Sequence, residues 1–429
     1  MEIDLEKIKK VHFVGIGGIG VSAIARLMHL SGKNVSGSDI AKSLITEKLR
    51  QFGIQINIGH KIENVPSDTD LVIHTIAVKE DNSEIMQARM KGIEIRTYPQ
   101  MLAVISKNMT TIAVSGTHGK TTTTAMLSKI LTDAELDPTV IVGSLMKDYD
   151  SNLIVGQSDY FIVEACEYRR SFLNLYPKIL IITNIDEDHL DYYKDISDIQ
   201  SAFRELALRM QDGLIVCDAT DRRLKPVIQG LKCKVINYIS HVDKNWKLKT
   251  PGEHNLQNAA ACLAVADFLG LDKNKTIKSL ESFSGTWRRF DLRGKTKNGT
   301  IIYDDYAHHP REIMATLAGM KEMYPDYRRI AFFQPHLFSR TKVLLDEFSE
   351  SFYDADETYI LPIYAAREGF DQTIDSQMLV EKIKEKNISA GYIENFEKAL
   401  EKINEFDEKT AVIIMGAGNI YALSDLTLK

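Results

Sequence analysis

Two glycine-rich turns limit what this chain can fold into. "VHFVGIGGIG" at residues 11–20 and "AVSGTHGKTT" at 113–122 each join a strand-like apolar run to a run with helical spacing. Such a turn needs its strand inside a parallel sheet and its helix packed back across that sheet. One sheet built around the first turn would be complete well before Gly116, so the chain holds at least two α/β units in series. Its 429 residues leave room for a third, since domains run to roughly 100–200 residues.

The alternation of elements places the units. After the first turn, Val21, Ile24, Leu27 and Met28 fall on one helical face, Gly32 ends the helix, and "KNVSGSD" returns as a strand ending in Asp39. "DLVIHTIAV" and "IEIRTYP" continue the pattern, giving a first domain over 1–107. "NMTTIAVSG" restarts it, and the strands in "YFIVEAC", "ILIITNI" and "GLIVCD" are apolar on both faces, as in a parallel sheet covered by helices. This second domain spans 108–293. "TIIYDDYAHHP", "RRIAFFQPH", "ETYILPIYAA" and "TAVIIMGAG" form a third over 294–429. The expected fold is therefore α/β with three domains in series: Rossmann-like, then a P-loop-type ATPase with a mostly parallel sheet, then Rossmann-like again.

Charge and composition exclude several functions. A net charge of −6 with no long run of lysine or arginine argues against nucleic acid and against an anionic membrane surface. The opening "MEIDLEKIKKVHFVG" has no signal-peptide core and no later run reaches membrane-spanning length, so a cytoplasmic protein is expected. Cys166, Cys217, Cys233 and Cys262 show no metal or disulfide spacing.

Gly15, Gly17 and Gly20 satisfy GxGxxG, and Asp39 follows at the distance of a ribose-binding carboxylate. The spacing suits a nucleotide or dinucleotide without choosing the diphosphate; glycines serving only helix packing would look the same. The second turn is an abbreviated P-loop, with Val114 where GxxxxGK[ST] has its first glycine. It still aims backbone NH groups at a phosphate, places Lys120 near a terminal phosphoryl group and leaves Thr121 for magnesium. Glu164 and His189 follow strand ends at the ligand edge of the sheet, as metal ligands or as capping residues. His254, Asn255 and Asn258 open a helix and suit either an adenine edge or a cap. "RRF" at 288–290, "DDYAHHP" and "QPHLFSRT" bring charged and aromatic groups to strand ends, either to close over charge or as solvated loop residues.

Taken together, "GIGGIG", "GTHGKTT", "TNIDEDHL", "GEHNLQNA", "RRFD", "DDYAHHP" and "QPHLFSRT" occur in the order found in the Mur ligases, which the chain resembles from residue 11 to 425. "DDYAHHP" preceded by "RRFD" is the most specific part. In that family GTHGKT is the normal ATP loop and the first glycine turn holds UDP. The set looks most like the members that join L-alanine to UDP-N-acetylmuramate in peptidoglycan precursor synthesis. The resemblance implies ATP and Mg2+ as cofactors, an acyl-phosphate intermediate, and a third domain that closes over the reacting groups. It assigns UDP-sugar contacts to Gly17, Gly18, Asp39, His74 and Thr75, with Asn184 beside the substrate phosphates. ATP falls to Gly116, Thr117, His118, Gly119, Lys120, Thr121 and Thr122, with His254, Asn255 and Asn258 on the adenine side and Arg289 and Asp305 reaching from the third domain. Magnesium falls to Thr121, Glu164 and His189. Tyr306, His308, His336 and Arg340 line the amino-acid end, with the two histidines as candidates for the amine proton. A monomer or homodimer is expected.

Two features depart from the family pattern. "EACEYRRSF" keeps Glu164 and Glu167 but adds Arg169 and Arg170, and the interval from "LIVCDATD" to "PGEHN" is brief. Other readings are a ligase that attaches a recycled murein peptide, a catalytically silent relative, and an NAD-dependent oxidoreductase, which would leave "GTHGKTT" idle.

Overall fold

The computed structural model describes residues 3–366 and 368–428. It divides into two compact units, the first made of residues 1–185, 200–238 and 261–276, the second of 186–199, 239–260 and 277–429.

The first unit contains two sheets. Strands β1 (Lys10–Val14), β2 (Asn34–Asp39), β3 (Gln55–Ile58), β4 (Leu71–His74) and β5 (Glu94–Thr97) form a parallel sheet in the order β3-β2-β1-β4-β5. The order reverses at β1, so the glycine turn that follows it opens at the switch point where such sheets bind ligands. The helix Ile19–Leu30 buries Val21, Ile24 and Met28 and ends at Ser31, one residue before Gly32.

Strands β6 (Thr110–Ser115), β7 (Thr139–Met146), β8 (Ser151–Ile154), β9 (Tyr160–Glu164), β10 (Ile179–Ile182), β11 (Leu214–Cys217) and β12 (Lys234–Asn237) form the second sheet, ordered β12-β11-β10-β6-β9-β7-β8. Only the β7–β8 pair is antiparallel. β6, β10 and β11 run buried nearly throughout, the pattern of strands covered on both faces. The threonines after Lys120 weaken helix propensity, yet Thr121–Thr124 lie buried in the helix Lys120–Asp133. Thr124 spends its hydroxyl on the carbonyl of Lys120 one turn back, at 2.8 Å. The two sheets are tied by Asn152, which donates to the carbonyl of Ile19 at 2.6 Å, and by Arg26, which donates to Ser151 at 3.0 Å.

The second unit is built on β13 (Asp291–Lys295), β14 (Ile301–Asp305), β15 (Arg328–Phe333), β16 (Glu357–Ile360), β17 (Ala390–Tyr392) and β18 (Thr410–Met415), ordered β13-β14-β18-β15-β16-β17. β13 is the antiparallel edge strand. Alternation sends Ile301, Ala331, Phe333, Ile413 and Met415 into one core and Ile302, Ile330, Phe332, Val412 and Ile414 into the other. The fold is thus α/β with mostly parallel sheets. Among the described residues no helix is long and apolar enough to cross a membrane.

Candidate active site

In the first unit the second glycine turn leaves β6 under tight constraint. Gly116 has φ +129°, and a Cβ there would lie 2.0 Å from Oγ1 of Thr183 and 2.9 Å from the carbonyl of Asn184, so only glycine lets the turn pass the end of β10. Gly119, at φ 85°, caps the helix Lys120–Asp133 from the left-handed region. Thr183 donates to the carbonyl of His118 at 2.6 Å. Asn184 accepts from the backbone NH of His118 at 2.9 Å and returns a donor to its carbonyl at 3.0 Å. The side-chain amide that the resemblance assigns to the substrate phosphates thus also holds the loop. The backbone NH groups at the helix start have no partner within the helix, and with the helix dipole behind them they make an anion site.

Lys120 lies over this loop. Its ammonium donates to the carbonyls of Gly116 (2.5 Å) and Thr117 (3.0 Å) and pairs with Glu167 at 3.0 Å. Burial works against the charge, but the carboxylate of Glu167 outweighs it and holds the ammonium above its ordinary range. Glu167 carries no role in the sequence reading, because its partner is 47 positions away in the chain.

Glu164 ends β9 and accepts from the backbone NH of Gly143 at 2.7 Å. A Cβ on Gly143 would fall 2.6 Å from that carboxylate, so a glycine there lets the carboxylate lie over β7. Glu164 and the hydroxyl of buried Thr121 are hard oxygen donors of the type Mg2+ selects.

The first glycine turn is held differently. The backbone NH groups of Gly15 and Ile16 both donate to the carbonyl of Ser38 (2.9 and 3.0 Å), and that of Gly17 donates to the carboxylate of Asp39 at 2.7 Å. Asp39, assigned by spacing to a ligand hydroxyl, therefore fixes the turn with one oxygen. A Cβ on Gly17 would lie 2.8 Å from that oxygen. Gly18, at the exposed tip, caps the helix Ile19–Leu30. His74 is buried at the end of β4 beside Thr75, with its Nδ1 3.0 Å from the Thr75 carbonyl, and burial lowers its pKa.

The second unit gathers another cluster. His308 sits with its Nδ1 3.0 Å from the carbonyl of Tyr306 and 3.2 Å from Glu312. Its ring meets those of Tyr306 and His336 edge-on, at 5.2 and 6.1 Å. His336 stacks on Tyr364 and places its Nδ1 3.2 Å from Arg340, which pairs with Asp188 at 2.7 Å. Both members of that pair are largely buried; burial would raise the Asp188 carboxyl, but Arg340 holds it well below the usual carboxylate range. A cavity of about 50 Å³ opens beside Asp188, His189, Ser339 and Arg340. His189 itself has φ 56°, with its backbone NH bonded to Asp188 at 2.7 Å. Asp188 lies inside "TNIDEDHL", yet nothing in the spacing names it as the partner of Arg340.

Three further assignments have visible structural work. Asp305 accepts from the backbone NH groups of Phe290 (2.8 Å) and Ala307 (2.7 Å), locking the "RRFD" turn onto β14. Burial pushes its pKa up against the pull of Arg289, whose guanidinium lies over the Tyr306 ring at 5.1 Å. Asn255 donates to the carbonyl of Pro251 at 2.8 Å and Asn258 to Asn255 at 3.3 Å, while His254 is exposed at the start of their helix.

Residues 10–110, 114–246 and 288–418 match the models for the Mur ligase family catalytic domain, the Mur ligase middle domain and the Mur ligase glutamate ligase domain. The chain belongs to the Mur ligase family. Among its Mur ligase relatives, the UDP-N-acetylmuramate L-alanine ligase of Clostridium tetani is 42% identical over 99% of both chains. That of Caldanaerobacter subterraneus subsp. tengcongensis is 42% identical over 100% of this chain and 99% of its own. The crystal structure of UDP-N-acetylmuramate-alanine ligase MurC from Thermotoga maritima superposes with a TM-score of 0.82 at 31% identity, covering 97% of this chain and 98% of that one. A murein peptide ligase from Psychrobacter arcticus shares the fold, with a TM-score of 0.72 at 24% identity over 98% of both chains.

Proposed function

We propose that this Mur ligase uses ATP to join L-alanine to the lactyl carboxylate of UDP-N-acetylmuramate, releasing ADP and phosphate. The observation that carries this reading is the ammonium of Lys120 held over the glycine turn between β6 and its helix, together with a second, lysine-free nucleotide turn in the same unit. The naming of relatives 40–42% identical over nearly their whole length supports the choice of amino acid.

A carboxylate does not condense with an amine in water, so the acid needs a leaving group. The lactyl carboxylate attacks the γ-phosphorus of ATP, the bond from that phosphorus to the β,γ-bridging oxygen breaks, and ADP departs. The amine of L-alanine then attacks the acyl phosphate carbon through a tetrahedral intermediate, and inorganic phosphate leaves with the C–O bond electrons. Lys120 and the NH groups at its helix start stabilise the charge that moves on the transferring group, and most of the acceleration is positioning. Thr121 and Glu164 would hold Mg2+, which would screen phosphate charge, and His189 keeps the same assignment from its motif. Arg340 receives the amino-acid carboxylate, Tyr306 lines that end, and His308 or His336 takes the amine proton. His254, Asn255 and Asn258 serve the adenine side, Arg289 and Asp305 the nucleotide, and Gly17, Gly18, Asp39, His74, Thr75 and Asn184 the sugar nucleotide. The domain limits of 1–107, 108–293 and 294–429 go with this division of labour.

Phosphate release measured with ATP, Mg2+ and UDP-N-acetylmuramate against L-alanine, glycine, L-serine and a murein tripeptide tests the reading. Release dependent on both the sugar nucleotide and L-alanine is expected. Turnover with the tripeptide alone would transfer the assignment to peptide recycling, and no release with any acceptor would overturn ligase activity.

A further inference from the structure

A carboxylate that touches neither proposed nucleotide lies beneath the first glycine turn. Glu84, in the first turn of the helix Ser83–Met90, is fully buried. Its Oε2 accepts from the hydroxyl of Ser38 at 2.7 Å and faces Nε2 of His12, also fully buried, at 3.0 Å. Its Oε1 accepts from the backbone NH of Lys61 (3.1 Å) and from the side-chain amide of Asn64 (2.7 Å), with Nδ1 of His60 at 3.4 Å.

These partners are the segments that shape the turn. The Ser38 carbonyl takes the NH groups of Gly15 and Ile16, and the next residue, Asp39, takes that of Gly17. On the other side, the Asp39 carbonyl accepts from Gly59 at 2.7 Å, and Asn64 donates to the Gly59 carbonyl at 2.9 Å. One carboxylate therefore anchors the end of β2, which holds three successive NH groups of the glycine turn, and the loop after β3, which bonds back to that strand end. A buried charge is a poor way to gain stability, because an apolar side chain of similar size avoids the desolvation cost. Its return here is geometric: four hydrogen-bonding partners, Ser38, His12, Lys61 and Asn64, are fixed about one point, which an apolar residue does not do.

We propose that Glu84 is a positioning residue for sugar-nucleotide binding, acting through Ser38 and Asp39 and the 59–64 loop. This rests on the function proposed above, and wild-type phosphate release with UDP-N-acetylmuramate and L-alanine tests that function separately. Glu84→Leu removes every acceptor. Glu84→Gln keeps the oxygen facing Lys61 and Asn64 and offers an NH2 to the Ser38 hydroxyl and to a neutral His12, both of which can accept it. With Glu84→Leu, KM for UDP-N-acetylmuramate rises about tenfold or more, the scale for residues that orient ligand-binding groups. KM for ATP and kcat stay within about threefold, and Glu84→Gln restores most of the loss. Titration of UDP into the same variants gives the same ranking without turnover. An unchanged KM for the sugar nucleotide, or an equal rise in KM for ATP, overturns the proposal. Should Glu84→Leu fail to fold, Ser38→Ala takes its place, since it cuts the link to β2 and the 3.0 Å contact of the Ser38 hydroxyl with Nδ1 of His60 while leaving the bonds from Lys61 and Asn64 to Glu84. It too raises KM for the sugar nucleotide selectively, and an unchanged value overturns the proposal.

Discussion

Lys120→Met separates what the ion pair with Glu167 does for the fold from what it does for the reaction. Glu167 has a side chain 3% exposed and Lys120 one 13% exposed, so deleting the ammonium removes the cation 3.0 Å from a carboxylate in a site that excludes water. Removing one partner of a buried pair costs about 3–5 kcal/mol, and the slight exposure of Lys120 favours the lower end, about 3 kcal/mol. In a Glu167→Gln background the buried carboxylate is absent, and the same change costs about 1 kcal/mol for the lost carbonyl contacts at Gly116 and Thr117. The coupling between the two substitutions is therefore about 2 kcal/mol. At about 2–4 °C per kcal/mol, Lys120→Met lowers the melting temperature by about 6–12 °C alone and by about 2–4 °C on top of Glu167→Gln. Melts of the four proteins without nucleotide measure this. Turnover does not recover with stability: both Lys120→Met proteins lose about 100-fold or more in kcat, because the ammonium that would follow the transferring phosphoryl group is gone. Additive melting temperatures would refute the buried pair, and turnover retained by either variant would refute the role of Lys120.

Two other perturbations test single contacts. Gly143→Ala puts a methyl group 2.6 Å from the Glu164 carboxylate at an exposed position. The Mg2+ concentration for half-maximal phosphate release should rise about tenfold while the melting temperature moves by about 1 °C or less; an unchanged Mg2+ dependence would remove Glu164 from the metal site. Asp188→Asn weakens the pair with Arg340 and should cost about 2 kcal/mol at neutral pH. Because the folded-state pKa of Asp188 is depressed, its contribution is complete above the unfolded value and fades as pH falls below about 4. Urea midpoints for wild type and variant should therefore differ equally at pH 7 and 5 and converge below pH 4.

How far the sequence could be read depended on how local each signal was. β1, its glycine turn and the helix to Leu30 are legible because periodicity and the turn fall within one stretch, and the continuous apolar runs of β15 and β18 announce strands covered on both faces. The β7–β8 hairpin is not, since "GSLMKDYD" carries no strong turn dipeptide and the strand pair is irregular between Ile141 and Met146. At the site, motif order names Lys120 and Arg340, but not their carboxylates. Glu167 and Asp188 reach them across 47 and 152 positions, through strand ends whose proximity exists only after folding. Asp39 shows the opposite difficulty: its spacing is right for a ligand, yet spacing alone does not reveal that one oxygen is occupied by Gly17.

The contrast between the two glycine turns follows from what each is proposed to hold. In the first, three successive NH groups are already bonded to Ser38 and Asp39, so the turn is rigid before any ligand arrives, and "GIGGIG" contains no lysine. That suits the diphosphate of a sugar nucleotide, which is gripped but does not react, and whose charge is the same at the start and end of turnover. In the second, Thr183 and Asn184 hold the loop from below, and the ammonium of Lys120 rests on two carbonyls and a carboxylate. A γ-phosphoryl group changes charge distribution as it moves, and a flexible cation on a four-carbon stem can follow it from ATP to the acceptor. Val114 can replace the first glycine of the longer P-loop because it lies fully buried within β6, while the close passage past β10 is made at Gly116, where the clash with Thr183 demands a residue without Cβ.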